Sequence, residues 1–143
     1  MLAADKSRTL RMKKKFTWFS RFLMLLYAVT VCLLCFGHFD GSISMGEDWF
    51  GIPKDKVAHF LMFLPFPILM YMAFHTHRGK PWRLILFMVL TILIGAAVGG
   101  GIELLQMTTA YRSCDIMDFR ADCLGLLAGS VLTMMYAAIS KKW

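Results

Sequence analysis

The sequence predicts an all-α fold, a four-helix transmembrane bundle with both termini in the cytoplasm. Three observations predict it. Hydrophobic residues make up 58% of the 143 positions, which is more than soluble proteins usually contain. They are concentrated in four runs, each long enough to cross a bilayer, which takes about 20 residues. Lysine and arginine are divided unevenly between the segments that connect these runs.

The four runs define one membrane domain, residues 16–139, preceded by a basic tail, 1–15, and followed by a short tail, 140–143. Its predicted helices are 16–37, 57–74, 84–107 and 119–139. The second run is the shortest and contains Pro65 and Pro67. Since proline removes a backbone donor and bends a helix, we expect a kink there, next to a cavity.

The basic residues indicate how the bundle is oriented. Eleven lysines and arginines lie in the two tails and the second connection, against three in the first and third connections. The positive-inside rule therefore places the first group in the cytoplasm. Membrane orientation also explains the net charge of +7. No basic stripe with interleaved aromatics is present, so the predicted partner is the lipid bilayer and no nucleic-acid partner is predicted.

Polar residues gather near the outer ends of three predicted helices. Glu103 lies about 6 Å below the end of the third helix, at about 1.5 Å per residue, and Asp122 reaches a similar depth in the fourth. An ionisable group inside a membrane segment is a functional hypothesis by default, because its insertion is costly. The candidate ligand-binding residues are Lys56, His59, Glu103, Gln106, Arg112, Asp115, Asp118 and Asp122.

Glu103 and Asp122 are expected to repel each other if both are ionised, so they need a shared proton or a nearby cation. Arg112 is the expected cation, reaching in from the third connection, and Lys56 is the next candidate. The same reasoning predicts that Asp122→Asn is tolerated.

Structural roles account for some of these residues equally well. Asp118 is a natural N-cap of the fourth helix, Asp115 fits a solvated loop, and His59 fits a hydrogen-bonded packing residue. Asp122 is different, because beyond the first turn it faces either lipid or a polar interior. Close helix packing is assigned to small residues that share helix faces: Gly95, Gly99, Gly125 and Gly129.

The four cysteines say little about function. Cys32 and Cys35 are expected to be small residues in the helix core. A disulfide between Cys114 and Cys123 stays open, because it depends on geometry that the sequence does not give.

These motifs resemble the VanZ-like family of small bacterial integral membrane proteins. The matching segments are "DKVAHF", "ELLQ" and "RSCDIMDFRADCLGLLAG". The resemblance implies a multi-pass protein of the bacterial cytoplasmic membrane. The namesake of the family is associated with resistance to glycopeptide antibiotics, but no established reaction comes with the family. Asp122 stands where the family usually has Asn, and Phe63 where it often has Tyr.

Three functions are compatible with these observations. The favoured one is a non-enzymatic envelope protein whose outward polar pocket binds an amphiphilic or lipid-linked ligand, with Arg112 and Lys56 meeting its phosphate or carboxylate. The second is a membrane-embedded hydrolase or transferase, and the third is a helix-packing partner of another membrane protein. The catalytic candidates are His59, Glu103, Asp118 and Asp122, which could also ligate a divalent metal. No metal or cofactor is predicted, and the oligomeric state is open.

Overall fold

The computed structural model describes residues 2–37, 53–74, 80–108 and 115–141. The described helices are α1 (Leu2–Phe36), α2 (Lys54–Phe63), α3 (Pro65–Phe74), α4 (Pro81–Gln106) and α5 (Ile116–Ile139). Helices α2 and α3 together form one stretch, Lys54–Phe74, and four such stretches are long and apolar enough to cross a membrane. The predicted all-α fold with four helices of this kind is confirmed.

Helix α1 is longer than the apolar run that predicted it. It continues through the basic tail, where residues 5–16 are exposed. Leucine, methionine, lysine and arginine all have high helix propensity, so the tail extends the helix instead of ending it. The basic side chains are therefore arranged on a helix that leads into the apolar segment.

The prolines of the second span interrupt it without turning the chain away. Pro65 and Pro67 have no N–H to donate to the carbonyls of Leu61 and Phe63. Leu64, between α2 and α3, keeps helical dihedral angles of −59° and −41°, and its N–H donates to the carbonyl of Phe60. From α1, the Tyr27 hydroxyl donates a 2.6 Å hydrogen bond to the carbonyl of Met62. This polar contact fixes α1 beside the interruption.

Helix α5 lies at the centre of the bundle and packs against α2, α3 and α4, while α1 packs mainly against α3. Two glycines allow its close approach to the second span. A side chain at Gly125 would collide with the carbonyl oxygen of Phe60, and one at Gly129 with that of Leu64. The backbones are thus in direct contact, as small residues permit in membrane helices.

The core follows α5, where Leu126 and Ala137 are fully buried. Large apolar side chains on the other faces are exposed, Leu93 and Leu124 among them. In a bilayer these side chains face lipid, which is as apolar as they are. At the opposite end from the polar residues, Arg21 of α1 donates to the carbonyl of Ala73 and lies over the ring of Phe74, at the end of α3.

Candidate functional site

The start of α2, the end of α4 and the start of α5 meet at one end of the bundle, and their polar residues form two linked clusters. The buried cluster consists of His59, Glu103 and Asp122, whose exposed fractions are 4%, 3% and 0%. Charged residues are almost never buried this completely unless they are paired. Glu103 and Asp122, which the sequence places at a similar depth, are thus both buried in a polar interior.

A histidine holds the buried cluster together. His59 Nδ1 lies 3.0 Å from Asp122 Oδ1, within hydrogen-bonding distance, and 4.0 Å from Glu103 Oε1. Gly99 makes room for this arrangement, because a methyl group there would lie 2.9 Å from Asp122 Oδ2. Asp122, which the sequence left facing either lipid or a polar interior, is fully enclosed by protein.

The second group, the lysine cluster, consists of Asp55, Lys56, Asp115 and Asp118. The Lys56 ammonium forms ion pairs with all three carboxylates, the one to Asp55 measuring 3.0 Å. Since an ammonium has three donors, these contacts use all of them. In this structure the ammonium is thus paired with these three carboxylates. The hypothesis that Lys56 meets an anionic ligand, or balances Glu103 and Asp122, stays a prediction.

The lysine cluster also anchors the start of α5. Asp115 is the N-cap, and its side chain accepts a 2.8 Å hydrogen bond from the N–H of Met117. The hydrogen bond from Lys56, followed by the one from Met117, lowers the pKa of the Asp115 carboxyl below its usual value. The expectation that Asp118 is the N-cap is thus corrected. Asp118 lies in the first turn, between Lys56 and His59 Nε2, which is 3.7 Å from its Oδ2.

Backbone contacts fix the side chains that end α4. The N–H of Asp115 donates to Glu103 Oε2 at 3.2 Å, so the other oxygen of Glu103 is turned toward His59. Gln106 donates to the carbonyl of Cys35 at 2.9 Å, which ties the end of α4 to the end of α1. This hydrogen bond gives Gln106 a structural task between two helices.

Two buried oxygens in the cluster lack a hydrogen-bond partner among the described residues. They are Glu103 Oε1 and Asp122 Oδ2. An unsatisfied buried acceptor is costly, and a buried carboxylate more so. In the described part of the chain the two clusters contain five carboxylates against one lysine and one histidine. The site is therefore acidic: three carboxylates share one lysine in the lysine cluster, and two carboxylates share one histidine in the buried cluster.

An apolar groove adjoins the buried cluster between α4 and α5. Its volume is about 450 Å³, within the usual range of small-ligand sites. Glu103 and Asp115 form its polar end, and the exposed side chains of Leu104 and Ile116 form its sides. The full lining is Ala97, Gly100, Gly101, Glu103, Leu104, Asp115, Ile116 and Phe119.

This groove was not predicted from the sequence. The available signal was the run Gly99–Gly101, of which only Gly99 was used, as a packing residue. A Cβ atom at Gly101 would have no atom within 4 Å, whereas one at Gly95 would meet Leu126. Glycines of one helix therefore serve two purposes, close packing on one face and open space on another.

Two residues of the third connection lie outside the described residues. Arg112, the expected cation of the site, is one of them, and Cys114 is the other. The proposed contact of Arg112 with a ligand stays a prediction, and whether Cys114 pairs with Cys123 stays open.

Substituting Asp122 tests its role in the fold. We expect Asp122→Asn to keep the bundle folded, because an amide of the same shape can still bond to His59 Nδ1. Asp122→Leu removes that bond and leaves a buried ring nitrogen unpaired, which costs roughly 1–2 kcal/mol. Thermal unfolding in detergent, with a chelator present, measures both. If the asparagine variant is as unstable as the leucine variant, the negative charge itself is required.

Comparison with known proteins gives a consistent assignment. The family model described as VanZ/LLP1 matches residues 9–137. A protein of Schizosaccharomyces pombe described as uncharacterized is 32% identical over 84 residues, which cover 58% of this chain and 48% of the relative. The chain thus spans about half the length of that relative. No solved structure matches the chain.

Proposed function

Because the chain belongs to the VanZ/LLP1 family of multi-pass membrane proteins, we propose that it binds an amphiphile at the membrane-embedded groove. The apolar part of the ligand lies along α4 and α5, and its headgroup reaches the buried cluster. The position of Glu103 is the observation that supports this most directly. Glu103 lines the groove and also belongs to the buried cluster, where its Oε1 lies 4.0 Å from His59 Nδ1.

The charge of the site favours a headgroup that donates hydrogen bonds. Lys56 is already surrounded by carboxylates, so it offers little to an anion. Glu103 Oε1 is a buried acceptor without a partner among the described residues. Hydroxyl or ammonium groups would satisfy it, because charge-assisted hydrogen bonds are the stronger ones.

The groove can be tested by filling it. Ala97→Leu narrows the groove, and the matched control Ala138→Leu makes the same change at an exposed position on α5 outside it. Purified protein is titrated with phosphatidylethanolamine and with phosphatidylglycerol of equal chain length, and bound lipids are counted by native mass spectrometry. We expect one tightly bound phosphatidylethanolamine, with binding at least tenfold weaker in Ala97→Leu alone. Equal binding by both variants would show that the groove is not the site.

We propose that the site faces outward, with both termini in the cytoplasm. The eleven-to-three distribution of basic residues supports this orientation. Reporter fusions after residues 45, 79, 111 and 143 should give outside, inside, outside and inside signals. An outside signal from the fusion after residue 143 would contradict the orientation.

The proposal includes a role in the cell envelope. The resemblance to VanZ-like proteins supports a location in a bacterial cytoplasmic membrane and an effect on tolerance to glycopeptide antibiotics, although the curated relative is fungal. Glu103→Gln and Arg112→Ala should lower survival under a lipoglycopeptide at matched protein levels. Partial replacement of Lys13–Lys15 should alter protein amount instead. If both of these variants survive as well as the parent, the outer site has no part in this tolerance.

A second candidate function is headgroup hydrolysis or transfer, and one observation favours it. Asp122 orients His59 through Nδ1, which is the way a carboxylate positions a general base. On this hypothesis His59→Gln lowers turnover of a phospholipid headgroup by about 10²–10⁴-fold. Release of the headgroup from vesicles of the same two phospholipids measures it, and absence of turnover in the parent protein would exclude this function.

A further inference from the structure

We propose that the buried cluster binds one divalent transition-metal ion, with His59 Nδ1, Glu103 Oε1 and one carboxylate oxygen of Asp122 as its ligands. One ligand atom from each residue can be chosen so that all lie within 4.8 Å of one another. Ligands about 2.0–2.2 Å from a shared ion lie roughly 3–3.5 Å apart. His59 Nδ1 and Asp122 Oδ1, 3.0 Å apart, already lie at this spacing. The 4.0 Å between His59 Nδ1 and Glu103 Oε1 would have to shorten by about 0.5–1 Å.

The unpaired oxygens point to a ligand for this cluster. Glu103 Oε1 and Asp122 Oδ2 are buried and have no hydrogen-bond partner in the described part of the chain. Both belong to side chains that are at least nine-tenths buried. A metal ion bound between them would satisfy both oxygens and balance the charge of two carboxylates at once.

In the lysine cluster a cation already lies among the carboxylates. Its three carboxylates also lie close enough together to hold an ion, but the Lys56 ammonium already sits among them. The buried cluster has three potential ligands with no lysine or arginine among the described residues that contact them. The inference is therefore specific to one of the two acidic groups.

The groups around His59 and Glu103 resemble those that usually orient metal ligands. A metal-binding histidine usually donates its other ring N–H to a carboxylate. Asp118 Oδ2 faces His59 Nε2 at 3.7 Å, just beyond hydrogen-bonding distance. Ligating carboxylates are usually hydrogen-bonded as well, and the Asp115 N–H holds Glu103 Oε2. In both residues the other polar atom, His59 Nδ1 or Glu103 Oε1, is the one that faces the buried cluster.

The ligand types limit the choice of ion. One imidazole nitrogen with two carboxylate oxygens suits Zn²⁺ and Mn²⁺, whereas a site for Mg²⁺ or Ca²⁺ would be made of oxygens alone. Three protein ligands leave at least one coordination position for water. Glu103 belongs both to the lining of the groove and to the proposed ligand set.

Metal binding is tested on tag-free protein in detergent, stripped with a chelator and titrated with Zn²⁺ and separately with Mn²⁺. We expect one site per chain by isothermal titration and elemental analysis, together with a rise in the unfolding temperature. Loss of a ligand in Glu103→Gln or His59→Gln should weaken binding at least about 100-fold. The matched control Asp55→Asn removes an exposed carboxylate of the lysine cluster and should bind as the parent does.

The ion and the headgroup are alternative occupants of Glu103 Oε1. This titration contains no added amphiphile, so the two proposals fail separately. Unchanged affinity in Glu103→Gln and His59→Gln would overturn the metal site. So would the absence of binding in a parent protein whose unfolding transition is intact. Equal loss in Asp55→Asn would also overturn it, by locating the ion among the lysine cluster.

Discussion

Gly129→Ala is expected to destabilise the bundle by about 3 kcal/mol, the upper part of the usual range for overpacking. The added methyl group would collide with the carbonyl oxygen of Leu64 and crowd Pro67. A backbone carbonyl cannot move aside as a flexible side chain can, so α5 must separate from the second span. Unfolding in mixed micelles with increasing denaturing detergent measures the change.

Gly101→Ala is the matched control, because it makes the same substitution in a membrane helix. A Cβ atom there meets nothing within 4 Å, and alanine is favoured over glycine inside a helix by roughly 0.5–1 kcal/mol. The control should therefore be neutral or more stable than the parent. Equal stability of the two variants would contradict the close contact between α5 and the second span.

Lys56→Met is expected to cost roughly 2–3 kcal/mol. It leaves the carboxylates of Asp55, Asp115 and Asp118 without their shared cation. The loss is largest for Asp118, whose side chain is 14% exposed, because removing the partner of a nearly buried charge is strongly destabilising. Partial exposure reduces the effect, since 18% of the Lys56 side chain and 40% of the Asp115 side chain are exposed. The exposed Lys13, changed to methionine, should alter stability by less than about 0.5 kcal/mol.

A second substitution shows whether charge causes the loss. Adding Asp118→Asn to Lys56→Met should recover about 1 kcal/mol, the coupling typical of residues in contact. The pKa of Asp115 is lowered in the fold, so its contribution to stability is present above the ordinary aspartate value of about 3.9. It is lost as pH falls through the lowered pKa, and the difference between parent and Lys56→Met should shrink there. No recovery in the double variant would show that Lys56 acts through packing.

The sequence was sufficient to bring most of the site together. Four spans with short connections place the end of α4 beside the start of α5, and helical spacing puts Asp118 and Asp122 on one face. The place of His59 in the site follows from its position near the start of the second span. These inferences need only helix length and connectivity, which the apolar runs determine.

The partners of the individual side chains could not be predicted in this way. Asp115 and Asp118 are three residues apart at a helix start, and either could serve as N-cap. Lys56 could pair with a ligand or with nearby carboxylates. Only the distances in the folded structure show that it pairs with the carboxylates. The groove depends on the open space beside Gly101. The spacing of apolar residues in the sequence does not predict that space.

The groove between Leu104 and Ile116 opens sideways, onto the flank of two membrane-spanning helices. A ligand that enters there arrives from the plane of the bilayer. Its occupancy is then set by its mole fraction among the surrounding lipids and not by its amount per volume of water. Diluting a vesicle suspension with buffer should leave the bound fraction unchanged, whereas diluting the ligand with inert lipid inside the vesicles should lower it. The protein would thus respond to the composition of the leaflet around it.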